Sequence, residues 1–148
     1  MKYFNYNELT KSATAVRLGI DNTPSAAVKA NLKAVVDNIL DPLREKWGAP
    51  IVVTAGYRCT ELNEKVGGVS TSQHRLGQAV DFRTVSDKPS DNYKLLHLLI
   101  DMKLPFDQLI SENVDDKGRP DWIHVSFSTR HRRQKLTYKG GKYYNGIK

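Results

Sequence analysis

Cysteine is nearly absent from this chain, since Cys59 is the only one among 148 residues. A single thiol excludes an internal disulfide and a zinc site built from several cysteines. Long apolar runs are also missing, because no stretch approaches the roughly 18 apolar residues of a membrane span. The opening MKYFNYNELT lacks the apolar segment of a secretory signal peptide. We therefore expect synthesis in the cytoplasm without a signal peptide, and no membrane insertion.

Acidic residues are fewer than basic residues in this chain. Asp and Glu total 16 against 23 Lys and Arg, which leaves a formal charge of +7. Such a balance favours an anionic partner, either nucleic acid, phospholipid or a bacterial wall polymer. The excess gathers in STRHRRQKLTYKGGKYYNGIK, residues 128–148. This basic tail is equally consistent with a solvated segment and with a binding role.

The patterns that are present predict one α+β domain over residues 1–148. Helical spacing predicts a short helix near residues 7–15 and a long one at 23–47, with Thr23 as N-cap and Pro42 as a kink. Further helices are predicted at 59–68 and 90–103, and strands at 51–56, 78–83, 106–113 and 121–128. This order predicts a small, largely antiparallel sheet with helices against one face.

The stretch STSQHRLGQAVDFR places a carboxylate between two apolar residues of a predicted strand. Alternation puts Val80 and Phe82 on one face of that strand and Asp81 on the other. The same alternation in DWIHVSF turns His124 away from the apolar face. If the two strands are neighbours, Asp81 and His124 point into one cleft, and His74 in the preceding loop completes a group of three.

Two imidazoles and one carboxylate suit an open zinc site, in which three protein ligands leave a fourth position for water. A dication would also compensate Asp81, because a buried carboxylate costs several kcal/mol when unpaired. The alternative is that His74 caps a turn while Asp81 pairs with Arg58, Arg75 or Arg83. The spacing alone leaves both interpretations open.

Three motifs occur in order along the chain, and together they resemble the M15 family of zinc peptidases. They are Ser72-x-His74-x-x-Gly77-x-Ala79-x-Asp81, the preceding Gly56-Tyr57-Arg58, and the following Asp121-Trp122-Ile123-His124. The family contains D-Ala-D-Ala carboxypeptidases and peptidoglycan endopeptidases, and the likeness is greatest to short phage-type M15A members. It covers a motif core of about residues 49–134. It implies the small antiparallel sheet with flanking helices that the DD-peptidases share with the hedgehog signalling domain.

The resemblance also implies roles for individual residues. His74, Asp81 and His124 would bind one Zn²⁺, Asp121 would be the catalytic general base, and Arg58 would hold substrate and stabilise the oxyanion. The substrate-binding rim would consist of Ser72, Gln73, Tyr57 and Trp122, of which the two aromatic residues are also consistent with the core.

The assignment of Asp121 meets a geometric difficulty. Positions 121 and 124 face opposite sides of a regular strand, so the chain would have to bend near Pro120 for both to reach one water molecule. Glu112, at the end of the preceding strand, is the rival base. If Asp121 is the base, Glu112 would instead hydrogen-bond a ligand histidine and hold its ring in place.

The sequence therefore predicts a zinc metallopeptidase that hydrolyses peptidoglycan, as a D-Ala-D-Ala carboxypeptidase or as a stem or cross-link endopeptidase. We expect a phage- or prophage-encoded endolysin, acting as a monomer at the cell wall after release through a holin pore or as part of a virion. One alternative is a zinc-bearing, non-catalytic wall-binding module of the same fold. A nucleic-acid binder that uses the basic tail is the other, but it leaves the His–Asp–His group unexplained, so we expect no specific nucleic-acid partner. Arg119 and Pro120 replace a histidine that many carboxypeptidase members carry before the acidic residue, which leaves the bond cleaved open.

Overall fold

A six-stranded sheet forms the centre of the computed structural model, which describes all 148 residues. The strands are β1 (Ile51–Ala55), β2 (Ala79–Thr84), β3 (Gln108–Glu112), β4 (Trp122–Ser126), β5 (Gln134–Lys139) and β6 (Lys142–Asn145). Their order across the sheet is β1-β2-β4-β3-β5-β6. Only β3 and β5 run parallel, and every other neighbouring pair is antiparallel. The predicted α+β class with a largely antiparallel sheet is confirmed.

Six α-helices surround the sheet: α1 (Tyr6–Thr10), α2 (Ala13–Leu18), α3 (Ala26–Val35), α4 (Asp41–Trp47), α5 (Thr60–Lys65) and α6 (Pro89–Asp101). A π-helical turn, Val36–Leu40, joins α3 to α4, and a 3₁₀ turn, Gln73–Leu76, precedes β2. None of the helices is both long enough and apolar enough to cross a bilayer.

The long predicted helix forms, but two of its details differ. Ser25, not Thr23, is the N-cap, and its hydroxyl accepts a hydrogen bond from the Val28 N–H at 3.2 Å. The irregularity expected at Pro42 lies one turn earlier, where the Asp41 N–H reaches back to the Val36 carbonyl. Proline lacks an N–H and crowds the carbonyl four residues before it, so the helix widens ahead of it without breaking.

One face of the sheet is packed against helices, and the other carries the polar residues of interest. Val80 and Phe82 of β2 face the core together with Ile123 and Val125 of β4, and all four are fully buried. Helices α3 and α6 pack over this face. Asp81 therefore lies on the opposite face, as the period-2 pattern predicts.

The basic tail contains two strands that the sequence analysis does not predict. Strand β5 pairs in parallel with β3, and β6 folds back on β5 through a two-residue turn of Gly140 and Gly141. Both glycines have positive φ, 56° and 82°, as a type I′ hairpin requires. The Gly-Gly pair is a turn signal in the sequence, but the lysine-rich segments on either side of it do not show a clear strand pattern.

Candidate metal centre

Three side chains converge on the polar face of the sheet. Asp81 of β2 lies directly opposite His124 of β4 in the strand register, and His74 enters from the 3₁₀ turn. Asp81 Oδ1 is 2.9 Å from His124 Nδ1 and 3.3 Å from His74 Nε2. The possible ligand atoms of all three residues lie within 4.8 Å of one another. The structure thus brings together the group predicted from strand alternation.

The orientation of His74 is set by the chain around Gly56. His74 Nδ1 donates to the Gly56 carbonyl at 2.7 Å, which leaves Nε2 directed at Asp81. The Arg58 N–H in turn donates to the His74 carbonyl at 3.0 Å. A Cβ at position 56 would stand 2.0 Å from the Leu9 carbonyl oxygen. Only glycine permits this approach, so the Gly-Tyr-Arg motif fixes the imidazole through the backbone.

The turn that carries His74 is closed at both ends by motif residues. At its start, the Ser72 hydroxyl accepts from the His74 N–H at 3.3 Å. At its end, Gly77 adopts φ +71°, and a Cβ there would meet Val28 at 2.8 Å. The spacing of serine, histidine and glycine in the motif is therefore a requirement of the turn as well as of the site.

The donor set fits zinc. Three ligand atoms at about 2.0–2.1 Å from one zinc ion and at tetrahedral angles stand about 3.3 Å apart. The Asp81 Oδ1–His74 Nε2 separation of 3.3 Å matches this value, and the Asp81 Oδ1–His124 Nδ1 separation of 2.9 Å is a hydrogen bond and is somewhat shorter. Asp81 forms no direct ion pair with Arg58, Arg75 or Arg83, so its nearest partners are the two imidazoles. Burial alone would raise the pKa of Asp81, but the two imidazoles outweigh it and hold that pKa well below its usual range.

A cleft of about 550 Å³ surrounds these ligands. Arg58 and Glu112 both line it. Arg58 Nε and Glu112 Oε1 are buried without a hydrogen-bond partner. A buried charged group without a partner is costly. Two such groups of opposite charge in one cleft indicate that a ligand completes their bonding.

Glu112 ends β3 opposite Trp122, on the same face of the sheet as His124. Burial raises the pKa of Glu112 to about 7, with His124 lowering it and Asp81 raising it as smaller effects. A carboxyl that titrates near neutral pH beside a metal centre is suited to proton transfer. It is a common signature of catalytic sites.

Asp121 lies outside this cleft. Its carboxylate is exposed and accepts a hydrogen bond from the Asn113 side chain at 2.6 Å. Its N–H donates to the Glu112 carbonyl at 3.0 Å, and although the chain bends at Asp121, next to Pro120, the carboxylate does not line the cleft. Its carbonyl is held by Asn92 of α6, on the helix side of the sheet. The position of Asp121 gives no support to its assignment as the base, whereas the rival Glu112 lies in the cleft.

The four predicted rim residues divide into two groups. Ser72, Gln73 and Trp122 line the cleft. The Ser72 hydroxyl also accepts a hydrogen bond from the Arg58 guanidinium at 3.4 Å, which helps to place that side chain. Tyr57 packs against the hydrophobic core and does not line the cleft, so its assignment to substrate binding is not supported.

The basic tail supplies three residues of the cleft wall that the sequence does not predict: Arg130, Arg132 and Tyr143. In the sequence the run RHRR, residues 130–133, indicates only basic charge. Its position depends on the parallel pairing of β5 with β3, and a pairing between segments so far apart in the chain leaves no local signal.

A family model described as Peptidase M15 matches residues 2–126. The matched region includes the three candidate ligands, Arg58 and Glu112, and it ends with strand β4. No curated protein matches the chain.

Proposed function

The chain belongs to the Peptidase M15 family, and on that premise we propose that it is a zinc-dependent peptidase that hydrolyses peptide bonds of bacterial peptidoglycan. One observation carries the proposal. His74, Asp81 and His124 converge in a cleft that also holds Glu112 and Arg58, each of which has one buried polar atom without a partner. A site that only stabilises the fold needs neither of these two.

Glu112 is the acid–base group in this proposal. Zinc held by the three side chains would supply a Lewis acid that polarises a carbonyl and makes water more acidic. Glu112 takes a proton from the attacking water and later returns it to the departing amine, so one carboxyl serves both steps. In the metal-free protein the pKa of Glu112 is about 7, and a dication bound nearby would lower it and so favour the ionised base at neutral pH.

Arg58 supplies positive charge to the same cleft. Burial lowers the pKa of Arg58 and Asp81 raises it, and the guanidinium remains charged throughout the ordinary pH range. Its unpartnered Nε is free to donate to the oxygen that becomes negative as the carbonyl is attacked. Donors already placed for a developing charge contribute most when water is partly excluded.

The family and the charge of the cleft both support the proposed substrate class. Three arginines line it, and peptidoglycan stem peptides carry free carboxylates. Both D-Ala-D-Ala carboxypeptidase and stem or cross-link endopeptidase activity are consistent with such a cleft. On this proposal the protein acts at the bacterial cell wall, as a lytic enzyme of phage or prophage origin.

The test is mass analysis of fragments released from purified peptidoglycan by the protein alone, with a chelator, and with zinc restored. We expect peptide products or free D-alanine that disappear with chelator and return with zinc, and their masses identify the bond. The Glu112→Gln variant is the control, since it should retain zinc and release nothing. Intact walls after incubation with zinc-loaded wild-type protein would contradict the proposal and favour a non-catalytic wall-binding module.

A further inference from the structure

The segment after the family-matched region forms part of the cleft wall. Residues 127–148 lie outside the match, yet this segment supplies Arg130, Arg132 and Tyr143 to the cleft. The two arginines stand in the connection between β4 and β5, and the tyrosine stands on β6. Features that the family model does not cover therefore shape the space in which substrate would lie.

Both arginines are anchored on one buried carboxylate, Asp107, which is fully shielded from solvent. Arg132 binds it through Nε at 2.9 Å and Nη2 at 3.2 Å, and Arg130 binds it through Nη2 at 3.3 Å. Gln73, at 2.9 Å, and Ser128, at 3.0 Å, also donate to Asp107. Because Gln73 precedes the candidate ligand His74, this cluster is joined directly to the metal centre.

Neutralising Asp107 does not require Arg130. The two-pronged contact of Arg132, with the donors from Gln73 and Ser128, already satisfies the carboxylate. The Arg130 side chain is 56% exposed and contributes a single long hydrogen bond. The second guanidinium therefore adds positive charge beyond what the neutralisation of Asp107 requires.

The arginine pair retains hydrogen-bonding capacity and net positive charge. Nη1 of Arg132 and Nη1 of Arg130 have no partners within the protein, and both residues line the cleft. Two guanidinium groups against one carboxylate leave an excess of one positive charge. Guanidinium groups held in place are well suited to bind a carboxylate through paired, charge-assisted hydrogen bonds.

We infer that Arg130 and Arg132, positioned by Asp107, form a subsite that binds a free carboxylate of the stem peptide and thereby selects the substrate. The inference rests on the proposed function, which supplies the class of ligand. The subsite lies beside the metal centre through Gln73, so a peptide that spans both would be held at two points. Arg58 remains available for the reacting carbonyl.

The test measures binding, so that it does not depend on turnover. The zinc-loaded Glu112→Gln protein is titrated calorimetrically with a synthetic stem pentapeptide and with versions in which one carboxylate at a time is amidated. We expect amidation of one particular carboxylate to weaken binding by about 10-fold or more. Adding Arg130→Gln or Arg132→Gln should reduce that preference to less than about 3-fold.

Arg133→Gln is the matched control, because it removes the same charge from the same connection. Arg133 donates to the Leu104 carbonyl and lies over the Phe106 ring, away from the cleft. This variant should keep the full preference. Of the two test variants, Arg130→Gln should disturb the fold less, since Asp107 keeps its contacts with Arg132. Thermal unfolding checks that each variant is folded.

Equal binding of all the peptides by the parent protein, or no binding of any of them, would overturn the inference. So would an unchanged preference in folded Arg130→Gln and Arg132→Gln proteins. Carboxylate-dependent binding without hydrolysis by the wild-type protein would instead support the subsite and contradict the proposed peptidase function.

Discussion

At the scale of single residues, two carboxylates within ten positions of each other have opposite environments. Glu112 is partly buried in the cleft and has an unpartnered oxygen, whereas Asp121 is exposed and bonded to Asn113. The difference follows from strand alternation, which places Glu112 on the face of His124 and Asp121 on the other. The family motif, with an acidic residue three positions before His124, favours Asp121 as the general base. The geometry of the cleft favours Glu112.

Paired substitutions distinguish the two carboxylates. Glu112→Gln should lower kcat by about 10²–10⁴-fold while zinc content stays at one per chain, because a proton acceptor is lost without loss of a ligand. Asp121→Asn should keep kcat within about 3-fold of wild type, since only an exposed hydrogen bond changes. Initial rates on a stem peptide and metal analysis check both. A reversed result would restore Asp121 as the base.

The raised pKa of Glu112 has a consequence for stability in the metal-free protein. Its folded pKa of about 7 exceeds the ordinary 4.5, so the folded state binds this proton more tightly than the unfolded chain. The resulting stability is complete below about pH 4.5 and is lost as pH rises through 7. Relative to wild type, Glu112→Gln should therefore gain about 1–3 kcal/mol in free energy of unfolding between pH 4.5 and pH 8.

Urea unfolding of both proteins in chelator, at the two pH values, measures this difference. Asp121→Asn serves as the control, because its carboxylate is exposed and no comparable gain is expected. A constant difference between wild type and Glu112→Gln across the two pH values would contradict the buried environment assigned to Glu112.

At the scale of elements, the metal centre depends on the contact between helix α1 and the end of β1. The Tyr57 N–H donates to the Leu9 carbonyl at 2.8 Å, and Gly56 lies against the same carbonyl. The Gly56 carbonyl then holds His74. A helix close to the start of the chain thus fixes a ligand more than sixty residues later.

Gly56→Ala tests this contact. The added methyl would stand 2.0 Å from the Leu9 carbonyl oxygen, so α1 or the Gly-Tyr-Arg segment must move. We expect a loss of about 1–3 kcal/mol in stability and weaker zinc binding. Gly67→Ala is the control, with φ +77° but open space around it, and should cost about 1 kcal/mol without affecting zinc. Denaturant unfolding and zinc titration compare them, and equal effects would contradict the contact.

The elements also show how far the sequence alone could lead. Alternation placed Asp81 and His124 on the same polar face, because a period of two is a local property. That their strands are neighbours is seen only in the structure, and the ligand role of His74 came from the family resemblance. The same alternation argues against Asp121 as the general base, whereas the family motif favours it. The arginine pair could not be predicted, since it depends on Asp107 and on the pairing of β5 with β3, which are set by distant packing.

At the scale of the whole molecule, zinc would join three separate segments of the chain. The ligands come from the 3₁₀ turn, β2 and β4. A metal that binds only the folded arrangement stabilises it by mass action, by about 2.7 kcal/mol when free metal is 100 times its dissociation constant. The centre of the sheet would then be most stable when the enzyme is loaded.

Thermal unfolding with and without zinc measures this coupling. Saturating zinc should raise Tm by about 5–10 °C for a chain of this size. His74→Ala should abolish the rise. His97→Ala is the matched control. His97 lies on α6, away from the candidate ligands, and its ring hydrogen-bonds the Lys148 carbonyl. A rise that survives His74→Ala would place the stabilising zinc elsewhere.

The hairpin of β5 and β6 has a further consequence, which concerns self-association. Without it β3, which carries buried Leu109 and Ile110, would be the last strand of the sheet and would offer unpaired backbone groups to another copy. With it the last strand is β6, four exposed residues long, and the other edge is interrupted by a bulge in β1. A chain shortened to residue 127 would leave β3 as an unpaired edge strand. We therefore expect this hairpin to reduce aggregation through edge-to-edge strand pairing.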